Sequence, residues 1–570
     1  MSTARRLVLV AAFAWLGASS GLAQTADTVL VNGNVVTVDD RKPRAEALAI
    51  QGERILSVGS NEEILRLKDA GTRVIDLAGK TVVPGLVDGH LHFARLGADR
   101  GQSLDLSEAK SEAAAAAQVK RLAQRLQPGE WITGDGWHTG NWDRQEWPSR
   151  KSLDEAAPNN PVFLGGMHSH ASWANTRALQ AAGITRSTPD PLGGQVFRDK
   201  AGEPTGVLLE NAQALLRERV PSASREPLVE SVRKSVRLAL SYGFTGAHDM
   251  GTSLEAIEAY EALIAAGDFP FRLNAIPRVV NAGALLDSIL AKGPLVDFGG
   301  HRLQVRGVKV SIDGALGARG AALMSPYDDD PQNLGVIRVP YDQLYLIVEK
   351  SLRAGFNVAI HAIGDRGNQM ALDAVEQALL RVPVKDHRIR VEHAQVVRPE
   401  DLPRFGRLGV LASVQWMHGT LDMPWAEKRV GSGRIAGAYA WRTLLNLGAR
   451  LVGGSDEGAA AFSPFMGLHA AVTRQDAKGS PPGGWRPEQR LTRMEALRSY
   501  TIDAAYAAFE EDVLGSITPG KLADIAVLSK DVLSVPAEEI LTTEALLTIV
   551  GGKLVYERTP AISTGASRQP

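Results

Sequence analysis

Val82-Val83-Pro84-Gly85-Leu86-Val87-Asp88-Gly89-His90-Leu91-His92 decides the reading of this chain. The apolar, β-branched run predicts a buried strand over Val82–Val87. It leads into two histidines spaced i, i+2, and in extended chain such side chains share a face. Neutral imidazole is the commonest transition-metal ligand, so a facing pair at a strand's C-terminal mouth is the natural start of a metal site. On spacing alone, two surface histidines after a turn are the other reading.

Working outward, apolar strands alternate with helical stretches. Strands are predicted at Val82–Val87, Phe244–Asp249, Arg272–Val279, Gln304–Ile312, Asn357–Ala362, Ile389–Ala394, Val410–Trp416 and Arg450–Ser455. Eight strands in β/α alternation predict an α/β fold, a (β/α)8 TIM barrel. The interval between the first two strands is too long for a loop and predicts an inserted subdomain at about 100–240, with helical stretches such as Leu228 to Tyr242. From Thr28 to Ile75, and again from Ala523 to Tyr556, the text is short strands broken by turns, among them Asn32-Gly33 and Gly551-Gly552. Strands at the two termini need partners, which predicts one small β domain built from 24–80 and 516–558 around a barrel at 81–515.

The chain has 570 residues, enough for more than one ordinary domain. Lys+Arg 63 nearly balance Asp+Glu 64, which excludes the electrostatic footprint of a nucleic-acid binder. Arg5-Arg6, the apolar run Leu7–Leu16 and the small-residue end Gly21-Leu22-Ala23 predict a signal peptide over 1–23 and export to a bacterial periplasm. The run is short for a membrane span, so no stable membrane anchor is expected; an uncleaved anchor is the other reading. Cys is 0, which excludes disulfides, thiolate ligands and lipid attachment through an N-terminal cysteine. The polar tail 559–570 is expected to be disordered.

Barrel strands bring their C-terminal ends to one mouth. The residues there are His90 and His92, Lys309, His361, His393 and Asp456. Each has a dull explanation singly, usually a buried, satisfied side chain; six together point to a metal centre.

At this point the sequence resembles the amidohydrolase superfamily, in its N-substituted formamide deformylase-like branch (amidohydrolase family 3). The motifs are Pro84–His92, Val308-Lys309-Val310-Ser311-Ile312-Asp313-Gly314-Ala315-Leu316-Gly317, His361-Ala362-Ile363-Gly364-Asp365, Val391-Glu392-His393-Ala394 and Gly454-Ser455-Asp456. The resemblance implies a metal-dependent hydrolase barrel, a composite β-sandwich from the two termini and, in many members, two metals. His90, His92, carbamylated Lys309 and Asp456 would hold one ion, and Lys309, His361 and His393 the other. Zinc suits these ligands. Without carbamylation, Lys309 is a pocket lysine.

The implied reaction is hydrolysis of a C–N bond in an amide, N-acyl or carbamate-like small molecule by a metal-bound hydroxide, with Asp456 as general base turned acid. A mononuclear deaminase-type enzyme and a catalytically silent metal-binding protein are the alternatives. The family commonly follows Ser-Asp with an apolar residue and proline; here it runs Glu457-Gly458-Ala459, which puts the loop shape in question. Trp137, His138, Arg319, Trp416 and His418, with His168 and His170 beside them, are expected to line the substrate pocket. Trp137 reads equally as insertion core and His418 as surface. Asp88 and Asp365 are expected to orient ligand imidazoles, Glu392 to be structural, and Gly314 and Gly317 to permit turns. The resemblance also allows a homo-oligomer.

Overall fold

The computed structural model describes residues 25–98, 103–167, 170–221, 227–457 and 462–558. The signal peptide expected over 1–23, the tail 559–570, His168 and Gly458-Ala459 lie outside these residues.

The stretch read as one strand is two. Thr81–Pro84 pairs antiparallel with Ile525–Leu528 and parallel with Asn34–Val36. After Gly85 the chain changes sheets, and Leu86–Leu91 becomes barrel strand β1. Gly85 permits the crossing because a Cβ there would collide with the Thr245 side chain.

The barrel continues with β2 (Phe244–Thr252), β3 (Arg272–Pro277), β4 (Gly307–Ser311), β5 (Asn357–Ala362), β6 (Arg390–His393), β7 (Leu411–Val414) and β8 (Leu451–Gly453). β1–β2–β3 and β4–β5–β6–β7–β8 form two parallel runs. A parallel bridge between Arg278 and Lys309 joins β3 to β4, and Asp456 N donates to His90 O at 2.8 Å where β8 meets β1. The expected strand Gln304–Ile312 also breaks, at Arg306: Leu303–Val305 pairs with β3 while β4 pairs with β5.

These strands are apolar because both faces are covered. Val308, Val310, Val358, Ile360, Val391, Ala412 and Val452 are buried. Helix Tyr341–Arg353 shows how the outer ring is specified: its buried residues Leu344, Ile347, Val348, Ser351 and Leu352 fall on one face. Lys350 and Arg353 occupy its last turn, opposite the sign of the helix terminus. Helix Leu228–Ser241, expected in the insertion, packs Val232, Val236 and Leu240 into the same core as β2. It is the helix that delivers the chain back to the barrel.

Between β1 and that helix lies a six-stranded sheet ordered 194–198, 204–210, 171–174, 162–166, 132–137 and 104–105. Trp137, Trp142 and Trp173 lie in its apolar core. N-terminal strands form a four-stranded sheet and strands from both chain ends a six-stranded one, with a shared core that includes Leu30, Val35, Leu48, Val82, Ile525 and Ile549. A buried ion pair, Arg272 to Asp524 at 2.6 Å, fastens β3 to these strands. No described helix is long and apolar enough to cross a membrane.

Candidate active site at the mouth of the barrel

β1 delivers His90, and His92 follows directly after it. His90 Nδ1 donates to Glu392 at 2.7 Å and His92 Nδ1 to the Met250 carbonyl at 2.7 Å. His393, at the end of β6, donates Nδ1 to Gln415 Oε1 at 2.7 Å. Anchoring Nδ1–H leaves Nε2 of each neutral ring as a lone pair, the arrangement that orients ligand histidines. Burial and then the Lys309 charge push the His90 imidazole down to about 4. Burial and then His90 hold His393 well below the ordinary histidine range.

Asp456 sits just beyond β8 with φ 48°. Its Oδ1 is 3.3 Å from His92 Nε2 and 3.7 Å from His90 Nε2, and its Oδ2 is 3.9 Å from His418 Nε2. Burial alone would raise its pKa, but His90 and His92 hold the carboxyl well below the usual carboxylate range. Potential ligand atoms of His90, His92 and Asp456 lie within 4.8 Å of one another, as do those of His393, His418 and Asp456. His418, expected against substrate, therefore joins the ligand-type cluster. His361 packs its ring 4.5 Å from that of His393 and sets Nε2 3.4 Å from Asp313 Oδ1, leaving Nδ1 as its other nitrogen.

Lys309, in β4, is buried, and its Nζ has no hydrogen-bond partner among the described residues. Burial pushes the amine down to about 8, against the raising pull of Glu392 and Asp456. Its charge also depresses His90, His361 and His393. A buried ammonium without an acceptor is costly. An amine that is partly neutral near pH 8 is competent to add CO₂, and the carbamate would bring negative charge to a cluster of lone pairs. The donor set fits divalent cations: oriented neutral imidazoles, an ionised carboxylate and an orphaned amine.

Glu392 is not a remote structural residue: it receives His90 and is paired with the buried guanidinium of Arg390. Asp88 and Asp365 do not touch imidazoles. Asp88 accepts from the backbone of His90 (3.1 Å) and Ser455 (3.0 Å), and Asp365 from Met324 N (2.8 Å). Gly317 lies in the turn expected of it, closed by Arg319 N donating to Leu316 O at 3.0 Å, and both glycines also serve close approach. A Cβ at Gly314 would collide with Glu210 Oε1, and one at Gly317 with His138 Nε2.

A small chamber is lined by His393, His418, Asp456, Gln395 and Asp422, with His170 and Gly317 on its wall. Across His170 and Gly317 lies a second small chamber, lined by Trp137, His138, Trp147, Met167 and Ala318. Trp137 is both insertion core and chamber wall, its indole N–H held by the Leu164 carbonyl at 2.9 Å. Two expected pocket residues point elsewhere. Arg319 is engaged by Asp329, which also binds Arg429, and Trp416 packs its ring 4.9 Å from that of Trp441 behind β8.

A parallel barrel whose strand ends gather histidines, a lysine and an aspartate is the architecture of metal-dependent amidohydrolases. This chain belongs to the amidohydrolase family, whose model matches residues 73–556. It is 35% identical to "Protein LONG AFTER FAR-RED 3" of Arabidopsis thaliana, over 93% of this chain and 92% of that protein. It is 31% identical to the N-substituted formamide deformylase of Arthrobacter pascens, over 94% of this chain and 100% of that protein. Among solved structures it is similar to an uncharacterized metal-dependent hydrolase from Pyrococcus horikoshii, with TM-score 0.69, 30% identity, and 90% of this chain and 99% of that chain covered.

Proposed function

We propose that this protein is an exported, metal-dependent hydrolase that cleaves a C–N bond in an amide, N-acyl or carbamate-like small molecule. The observation that carries the reading is the buried amine of Lys309, without a hydrogen-bond partner among anchored imidazoles and an ionised Asp456. The names of the relatives support it: one is a deformylase of N-substituted formamides and another a metal-dependent hydrolase. His90, His92 and Asp456 would hold one divalent cation, His361 and His393 a second, with carbamylated Lys309 between them. The position of His418 makes it a further potential ligand on the His393 side. Zinc matches the imidazole and carboxylate donors.

Bound cations supply Lewis acidity toward the carbonyl oxygen and make water more acidic. The protein's own groups do the rest. Asp456, ionised by its histidine neighbours, accepts a proton as water oxygen adds to the carbonyl carbon. It returns the proton to the leaving nitrogen as the C–N bond breaks. Glu392, Gln415 and the Met250 carbonyl keep the imidazoles from turning. The insertion closes one side of the site with His170. Residues 1–23 would be removed on export, so mature periplasmic protein should begin near Gln24.

The test is amine release from a panel of N-substituted formamides, N-acyl amines and carbamates by purified, metal-loaded protein. Release that disappears with chelator and returns with zinc or manganese is expected. Full activity in rigorously metal-free protein would end this reading.

A further inference from the structure

We propose that His170, oriented by Glu210, accepts a hydrogen bond from the N–H of the scissile amide and so selects secondary over tertiary amides. The proposal rests on the amide-hydrolase reading above and assigns it a substrate class.

His170 comes from the insertion, not from a barrel strand. Its backbone carbonyl accepts from Glu210 N at 3.0 Å, and its Nδ1 lies 2.9 Å from both oxygens of the Glu210 carboxylate. Glu210 is buried, holds φ 49°, and pairs with Arg338 at 3.2 Å. Arg338 is in turn held by Asn211 Oδ1 at 3.1 and 2.9 Å. The carboxylate enters a gap left by two glycines of the loop after Lys309, since a Cβ at Gly314 or Gly320 would strike Glu210 Oε1. The insertion is thus keyed into the loop that follows Lys309.

A carboxylate only accepts, so the His170 proton resides on Nδ1. In the neutral ring Nε2 is then a lone pair on the opposite edge. That ring stands 5.2 Å from His361 and walls both chambers, which share only His170 and Gly317 among their lining residues. A carbonyl held in the histidine chamber, with its nitrogen substituent directed toward the tryptophan chamber, sets its C–N bond beside His170 at this shared wall. An acceptor at that point complements a secondary amide and offers nothing to a nitrogen without hydrogen. Glu210 acts through His170 as a positioning residue.

The probes are N-phenethylformamide and its N-methyl analogue, with metal-loaded full-length protein. The parent protein should favour the secondary amide in kcat/KM. His170→Phe, which keeps the ring's bulk without its nitrogens, should lose about 10- to 100-fold on the secondary amide and little on the tertiary one. Its metal content should be unchanged. His170→Gln, which restores an acceptor, should recover part of the preference, and Glu210→Gln, which can still accept from Nδ1–H, should keep most of it. If His170→Phe retains the parent preference, the assignment is overturned. If neither amide is cleaved by the parent protein, the proposed reaction fails for this class, and selectivity is read from calorimetric dissociation constants of the two amides. A parent preference in binding that His170→Phe abolishes would still support the acceptor role; equal or unmeasurable binding would overturn it.

Discussion

In the histidine cluster at and beside the first chamber, each imidazole is anchored through Nδ1: His90 on Glu392, His92 on the Met250 carbonyl, His393 on Gln415. In the tryptophan chamber two indoles meet, Trp137 lying 6.3 Å from Trp147, and Trp137 is backed by the insertion core at 5.9 Å from Trp142 and 6.2 Å from Trp173. The Trp137 and Trp173 N–H groups end on backbone carbonyls. The first chamber is built from barrel strand ends and holds reactive groups at fixed orientation. The second is built from the insertion and offers shape. The contrast teaches that one fold can separate chemistry, which tolerates almost no change, from selection, which can vary by packing alone.

Substitutions should divide along that boundary. The largest effect is expected from His90→Ala, which should abolish both bound metal and turnover, read by elemental analysis beside the rate. A metal-loaded, active His90→Ala protein would erase the distinction. Asp456→Asn should keep much of the metal while turnover falls by about 10²- to 10⁴-fold. Glu392→Gln should weaken metal affinity by about 10- to 100-fold, because His90 loses its charged orienting partner. It should also destabilise the fold by about 3–5 kcal/mol in denaturant titration, because Arg390 would keep its charge without its buried partner.

On the other side of the boundary, Trp147→Ala should raise KM by about 10-fold and leave kcat nearly unchanged, the loss being apolar contact area. An equal fall in kcat would mean that the insertion takes part in the chemistry. The smallest effect lies outside both chambers. A side-chain hydrogen bond from Arg442 holds Glu495 down to about 2 from its ordinary 4.5. A lowered carboxyl pKa stabilises above about pH 4.5, and the contribution is lost as pH falls toward 2. Glu495→Gln should therefore flatten the acid side of the stability curve by under about 1 kcal/mol, since the pair is partly exposed.

The barrel was legible because parallel strands covered on both faces read as apolar runs, and five of the eight carry or lead into a site residue: His90 and His92, Lys309, His361, His393 and Asp456. The breaks at Gly85 and Arg306 were not, since a change of sheet depends on which distant strand lies alongside. Glu392 adds contact with His90 to the structural role expected of it, for a local reason. Strict alternation puts neighbours on opposite faces, but His393 has φ 75°, which interrupts the alternation at the strand's last residue. Asp88 and Asp365 were assigned to imidazoles, yet backbone N–H groups at the turns claim them first. His170 lines the pocket as expected, but nothing local in the sequence marks the carboxylate that orients it. Glu210, forty residues on, meets it only in the folded chain, where Arg338 pairs with Glu210 in turn.

The central claim is that Lys309 bridges two cations as a carbamate. It is tested most directly by counting metal per chain, by elemental analysis, in the parent protein and in Lys309→Ala, each loaded with zinc in the presence of bicarbonate. The account predicts two equivalents in the parent and a clear deficit in Lys309→Ala, partly restored by a short carboxylic acid that fills the vacated space. Two equivalents in Lys309→Ala with no added acid, together with near-normal turnover, would contradict it.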